Sequence, residues 1–238
     1  LITALLLLTA CTPNEADFKS DVPTIEERIS QNSELRTQIQ SEIRDQKSEI
    51  NLDVPFFSQA PDSDWGMPWQ EACEEASVIL AYYYTADLPL SKEKFKEEVY
   101  KLVDWEIENY GQYEHTNISQ TAEMLVANYE LSITDYELIS NPSIEDLKNE
   151  LAQGHAIIAP FAGRQLGNPF YSEEGPYYHM MVIKGYDEEH FITNDVGTKR
   201  GENFIYPYET LMSAMHEWHD EDINLGAKKV IVIKPRID

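Results

Sequence analysis

The 238-residue chain carries 18 Lys and Arg against 43 Asp and Glu, a net charge of −25. That charge argues against nucleic acid as a partner and against charge-driven binding to anionic lipid; it favours basic peptides, or serves solubility alone. Apolar residues, 42% of the chain, suffice for one sizeable core, and the two cysteines, Cys11 and Cys73, sit in sequence too different to suggest a disulfide or a paired-cysteine zinc site.

Residues 1–11, LITALLLLTAC, form an apolar run too short for a spanning helix, with small residues before the cysteine. They read as a signal peptide cut short at its start. Leu8-Thr9-Ala10-Cys11 resembles a bacterial lipobox, in which Cys11 takes the lipid. The expectation is an exported protein, lipid-anchored to the bacterial cell membrane with its domain on the outer side. Residues 12–50 are polar, and Ile25, Ile29, Leu35, Ile39, Ile43 and Ile50 recur at partly helical spacing. The heptad fails at Asn32 and Arg36, so this segment reads as a spacer without chemistry.

Residues 52–238 read as one domain. LDVPFFSQ is expected as a short strand, with Pro55 confined to an edge. In QEACEEASVILAYYY, Ala76, Ile79, Leu80, Tyr83 and Tyr84 share one helical face, and Val78 and Ala81 mark further buried surface. Further helices are SKEKFKEEVYKLV, capped by Ser91, then NISQTAEMLVANY, then SIEDLKNELAQG with a capping box of Ser143 and Asp146 and a closing Gly154. Strands follow at HAIIAPF, YHMMVIKGY, HFITND and KKVIVIK, with a late helix, PYETLMSAMHEW, that has Pro207 near its first turn. Helices first and strands after give an α+β class.

Cys73 heads the buried helix, where unpaired N–H groups and the helix dipole favour a thiolate. Glu74 and Glu75 oppose that effect, so a base is required. Of the six histidines, His115, His155 and His190 read as loop or strand-edge residues. His216 and His219, spaced i, i+3, fall on one face if the late helix reaches them, which makes a metal site conceivable; no metal or other cofactor is expected. His179 opens a strand beside the long loop GRQLGNPFYSEEGPYY, a common way to present a catalytic group. The chain turns at DEEH and returns through FITND. A three-residue turn would set Asp195 opposite Met181, and a two-residue turn would set Asn194 opposite Ile183. Distance favours Asp195 as the residue that orients His179, with Asn194 as the alternative.

VPFFSQAP, CEEASVILAYYY, HMMVIKGYD and FITNDVGT together resemble the papain-like cysteine peptidases, in their bacteriocin-processing-endopeptidase-like (C39-like) branch, over about residues 52–235. The resemblance implies a papain-like fold with the nucleophile helix packed on a C-terminal antiparallel sheet. It implies Cys73 as nucleophile, His179 as general base and then acid, Asp195 as orienter, and Gln59 with the Cys73 backbone N–H as oxyanion donors. Two features depart from the family. Glu74 stands where a glycine commonly follows the cysteine, and Gln59 lies 14 residues before Cys73, farther than is usual. The rival amide, Gln70, is only three residues before it. The expected function is thiol-dependent hydrolysis of peptides by a monomer. A catalytically inactive binding lipoprotein, or an acyltransferase or amidase using the same residues, stands as the alternative. The aromatic loop 163–178 either covers the cleft or packs on the core.

Overall fold

Residues 49–235 are described in a computed structural model. Lipidation at Cys11, the signal peptide and nearly all of the tether lie outside them. Seven strands form one antiparallel sheet: β1 (Ile50–Asn51), β2 (Tyr136–Ser140), β3 (Ala156–Ala162), β4 (Tyr178–Tyr186), β5 (His190–Asn194), β6 (Phe204–Pro207) and β7 (Lys229–Ile233). Their order is β2-β7-β3-β4-β5-β6, with β1 beside the end of β4. The helices are α1 (Cys73–Thr85), α2 (Lys92–Tyr110), α3 (Ile118–Tyr129), α4 (Ile144–Ala152) and α5 (Tyr208–Ala214).

Local chemistry sets the helix ends. The Ser91 hydroxyl accepts the Lys94 N–H at the start of α2, and Gly111, at φ 77°, closes it. Asn117 with Gln120, and Ser143 with Asp146, form capping boxes on α3 and α4. No side chain caps α1, whose N-cap is Ala72.

Both faces of the sheet are covered, which is why β3 and β4 are buried at every position rather than alternating. Ile158, Met180, Val182, Ile231 and Ile233 pack with α1, α2 and α3. Ile157, Met181, Ile183, Val230 and Val232 pack on the other side with Leu147, Leu151 and Leu211 of α4 and α5. Helix α1 carries Cys73 onto the sheet, with Val78, Ile79 and Leu80 fully buried. The α+β class and the packing of the nucleophile helix on the sheet are as the sequence implies.

Three local expectations need correction. The strand expected at residues 52–59 does not form; pairing in this segment is confined to Ile50 and Asn51. Pro55 has no N–H to give a ladder, and the Asn194 carboxamide instead donates to Val54 O and Pro55 O at 3.1 and 3.0 Å. The late helix ends at Ala214, because Met215 turns extended and bridges Phe161 of β3. His216 and His219 therefore share no helical face, and His216 Nδ1 bonds Gly226 O at 2.8 Å. Strands β2 and β6 were not expected.

Candidate active site

Cys73, 6% exposed, occupies the first position of α1. Its thiol donates to Glu74 Oε2 at 2.9 Å rather than to an imidazole. Burial above all, with the hydrogen bond to Glu74, pushes the thiol well above its ordinary range. The site at rest holds a neutral thiol.

His179 and Asp195 come from neighbouring strands. Near the turn the β4–β5 register pairs Tyr186 with Phe191; farther along it pairs Val182 with Asn194, one residue out of step. A bulge at Lys184 absorbs the difference, so the two registers weighed from sequence each occur in part of the hairpin. Asp195 Oδ1 meets His179 Nε2 at 2.8 Å, both groups being buried. Oδ1 also accepts the Gly197 N–H at 3.0 Å, and Oδ2 accepts from Asn168 Nδ2, Tyr171 OH and Tyr206 OH at 2.8, 2.7 and 2.6 Å. Burial pushes this carboxyl up, but His179 and the two tyrosine hydroxyls outweigh it and hold Asp195 at about 2. An ionised Asp195 demands the N–H on Nε2 of the imidazole, which leaves Nδ1 as the basic nitrogen. Asn194 belongs to a different task, pinning the segment before Gln59. Gly197 permits this crowding: a Cβ there would lie 2.9 Å from His179 Cε1 and 3.1 Å from Tyr171 Cε1.

The model of the Peptidase_C39 like family matches residues 51–220, most of the chain. The chain belongs to the Peptidase_C39 like family. A solved structure from Bacillus anthracis, provisionally named a C39-like peptidase, shares the fold: TM-score 0.54, 16% identity, covering 80% of this chain and 99% of that one. No curated protein matches the chain.

Gln59 reaches this C39-like site through Val196, whose carbonyl accepts the Gln59 N–H at 2.9 Å and the Ser58 hydroxyl at 3.2 Å. Its carboxamide donates both N–H groups, to Trp69 O and Gln70 O at 2.9 and 3.0 Å. Of the two donors that the resemblance assigns to the oxyanion, the Gln59 carboxamide is thus engaged at rest, holding the turn that leads into α1. Gln70, the rival, is exposed and bonds Glu71.

A cleft of about 940 Å³ is lined by Gln59, Cys73 and His179 together. The loop 163–178 gives it Phe170, Tyr171 and Tyr177, and Tyr171 is tied to Asp195 while Phe170 and Tyr177 stay 41% exposed. The loop thus lines the cleft and, through Tyr171, also packs into the site. His115 also lines the cleft, stacked on Trp218 at 4.0 Å between centroids, though its sequence setting suggested nothing special. Behind the thiol lie three buried carboxyls, Glu74, Glu75 and Glu106. Among the described residues no three His, Cys, Asp or Glu side chains are grouped as metal ligands.

Asn168, Tyr206, the bond of the loop residue Tyr171 to Asp195 and the Glu74 contact escaped sequence reading. The three Asp195 partners lie 11 to 27 residues from it in the chain, in no local pattern. Only the identity of Glu74, as a departure from the family, was a signal.

Proposed function

We propose that the chain is a thiol-dependent peptide hydrolase with a triad of Cys73, His179 and Asp195. The observation that carries this reading is the 2.8 Å contact of His179 Nε2 with Asp195 Oδ1, in the cleft that also holds Cys73. The contact fixes Nδ1 as the base. His179 takes the thiol proton, sulfur adds to the scissile carbonyl, and the imidazolium then gives its proton to the leaving amine. Water, deprotonated by His179, hydrolyses the thioester. The uncapped N-terminus of α1 supplies the Cys73 backbone N–H to the oxyanion, and Gln59 adds a second donor by releasing one of its two carbonyls. The membership in a peptidase-like family supports the same class of chemistry.

A second reading is a binding protein that keeps the fold without turnover. It is favoured by the neutral thiol, which bonds Glu74 and not His179. Incubation with a diverse peptide mixture, followed by mass spectrometry, separates the readings. New peptide termini support hydrolysis, acyl-shifted products support a transferase, and an unchanged mixture supports the binder. We also place the protein at the outer side of a bacterial membrane, anchored through Cys11. A native-host mass spectrum showing unmodified Cys11 would refute the anchor.

A further inference from the structure

Glu74 touches the nucleophile, yet the triad mechanism gives it no task. Its carboxyl is fully buried. Oε1 accepts the Thr116 N–H at 3.1 Å, and Oε2 lies 2.9 Å from Cys73 Sγ. None of the ion pairs among the described residues includes it. The groups facing it offer no cation. Glu75 comes from α1, Glu106 from α2 and Tyr178 from β4; beyond Tyr178 lies Glu217, whose charge is answered by Lys229 at 2.8 Å. The two nearby histidines look elsewhere, His115 to Trp218 and His179 to Asp195.

A buried carboxyl without a cation keeps its proton. Burial first, then Glu75, push Glu74 well above the carboxylate range. The Thr116 N–H is a stronger donor than the thiol, so Oε1 is the carbonyl oxygen and the single proton sits on Oε2, a hydroxyl oxygen that accepts the S–H and can donate in turn. The geometry points to Glu74 as a neutral hydrogen-bond donor to the Cys73 thiolate, a third acid–base group in the site beside His179 and Asp195. This role rests on the cysteine-peptidase reading. At rest the thiol donates to Oε2. When His179 Nδ1 takes the thiol proton, the bond reverses and Oε2–H donates to S⁻, a charge-assisted bond in a dry site. Glu74 keeps its proton through S–C bond formation and C–N cleavage, and the proton delivered to the amine comes from His179. An ionised Glu74 would instead set two anions side by side and suppress the thiolate.

The test is the pH dependence of Cys73 alkylation by iodoacetamide, read by mass spectrometry on the full chain. Glu74→Gln keeps both bonds, its oxygen accepting from Thr116 and its N–H donating to sulfur. Its alkylation midpoint should lie within about half a pH unit of wild type. Glu74→Met keeps the volume and removes the donor, so alkylation at pH 7 should slow at least about tenfold, with a raised midpoint. A Gln midpoint lowered by a unit or more would show an ionised, inhibitory Glu74 and overturn the role, as would a Met variant that behaves like wild type. If the Met variant does not fold, the carboxylic-acid C=O infrared band decides. A band at pH 7 that Glu74→Gln removes supports the neutral acid; no difference overturns it. Because alkylation needs no peptide, absence of turnover would sink the peptidase reading and leave this result standing.

Discussion

The Asp195 carboxylate accepts two hydrogen bonds on Oδ1 and three on Oδ2. Such a cage holds both the charge and the plane of the group, and through Nε2 it holds the imidazole. Asn194, next along the chain, instead donates to Val54 O and Pro55 O. The two residues should therefore fail differently. Asp195→Ala should lower kcat by about 10³–10⁴-fold. Asn194→Ala should cost less than about tenfold in rate and about 1–3 kcal/mol in stability, because a buried and a part-buried carbonyl lose their donor. Kinetics and denaturant unfolding of both variants check this; the reverse order would move the orienting role to Asn194.

Titration at the residue scale has two opposite signs. Asp195 is held at about 2 against a usual 3.8, so its contribution is present above pH 4 and disappears as pH falls toward 2. Glu106 is raised by burial from 4.5 to about 8, and its oxygens and those of Glu75 have no hydrogen-bond partner of good geometry among the described residues. The native state keeps that proton while the unfolded chain loses it. Stability from this group is complete below pH 4.5 and declines up to pH 8. Glu106→Gln removes the dependence. At pH 8 it should raise stability by a few kcal/mol, on the order of the shift converted at 1.36 kcal/mol per unit, with a smaller effect at pH 5. Thermal midpoints at the two pH values are the measurement, and an equal pH slope in both proteins would contradict the assignment.

At the scale of elements, β4 organises the site. It meets β3 through Tyr178–Ile183, then β1 at Gly185 and Tyr186, and β5 on its other side. Gly185 allows the β1 contact, since a Cβ there would stand 2.1 Å from Ile50 O. Gly185→Ala should therefore force β1 away and destabilise the fold by about 1–3 kcal/mol, the usual cost of overpacking, measured by denaturant unfolding. An unchanged midpoint would mean β1 contributes nothing. The helices were legible because Ser91, Asn117 and Ser143 cap them by local chemistry. Strands β3, β4, β5 and β7 were legible as buried apolar runs. Strand β2 is a half-exposed edge, β6 ends in Pro207, and β1 has two residues, so none carries a clear period. The end of α5 was misread because the apolar pattern continues past Ala214 while the backbone leaves to pair with β3.

For the whole molecule, the acidity of the chain does not extend into the cleft. Arg164, Lys199 and Arg200 line it alongside Glu71, Glu173 and Glu174, an even balance inside a chain of net charge −25. The candidate cysteine and histidine were legible for a physical reason. A lone cysteine at a helix start and a histidine at a strand mouth each sit at an element boundary, and boundaries leave marks in sequence. The Asp195 cage and the Glu74 bond did not, since they are made by side chains that only the fold brings together. The central claim is that Cys73 attacks a peptide carbonyl with His179 as base. The most direct measurement compares kcat/KM of wild type and Cys73→Ala on one peptide found to be cleaved, with matched thermal midpoints as the control for folding. The account expects the variant to lose about 10⁴–10⁶-fold while unfolding within a few degrees of wild type. Turnover by Cys73→Ala at a rate near that of wild type would contradict it.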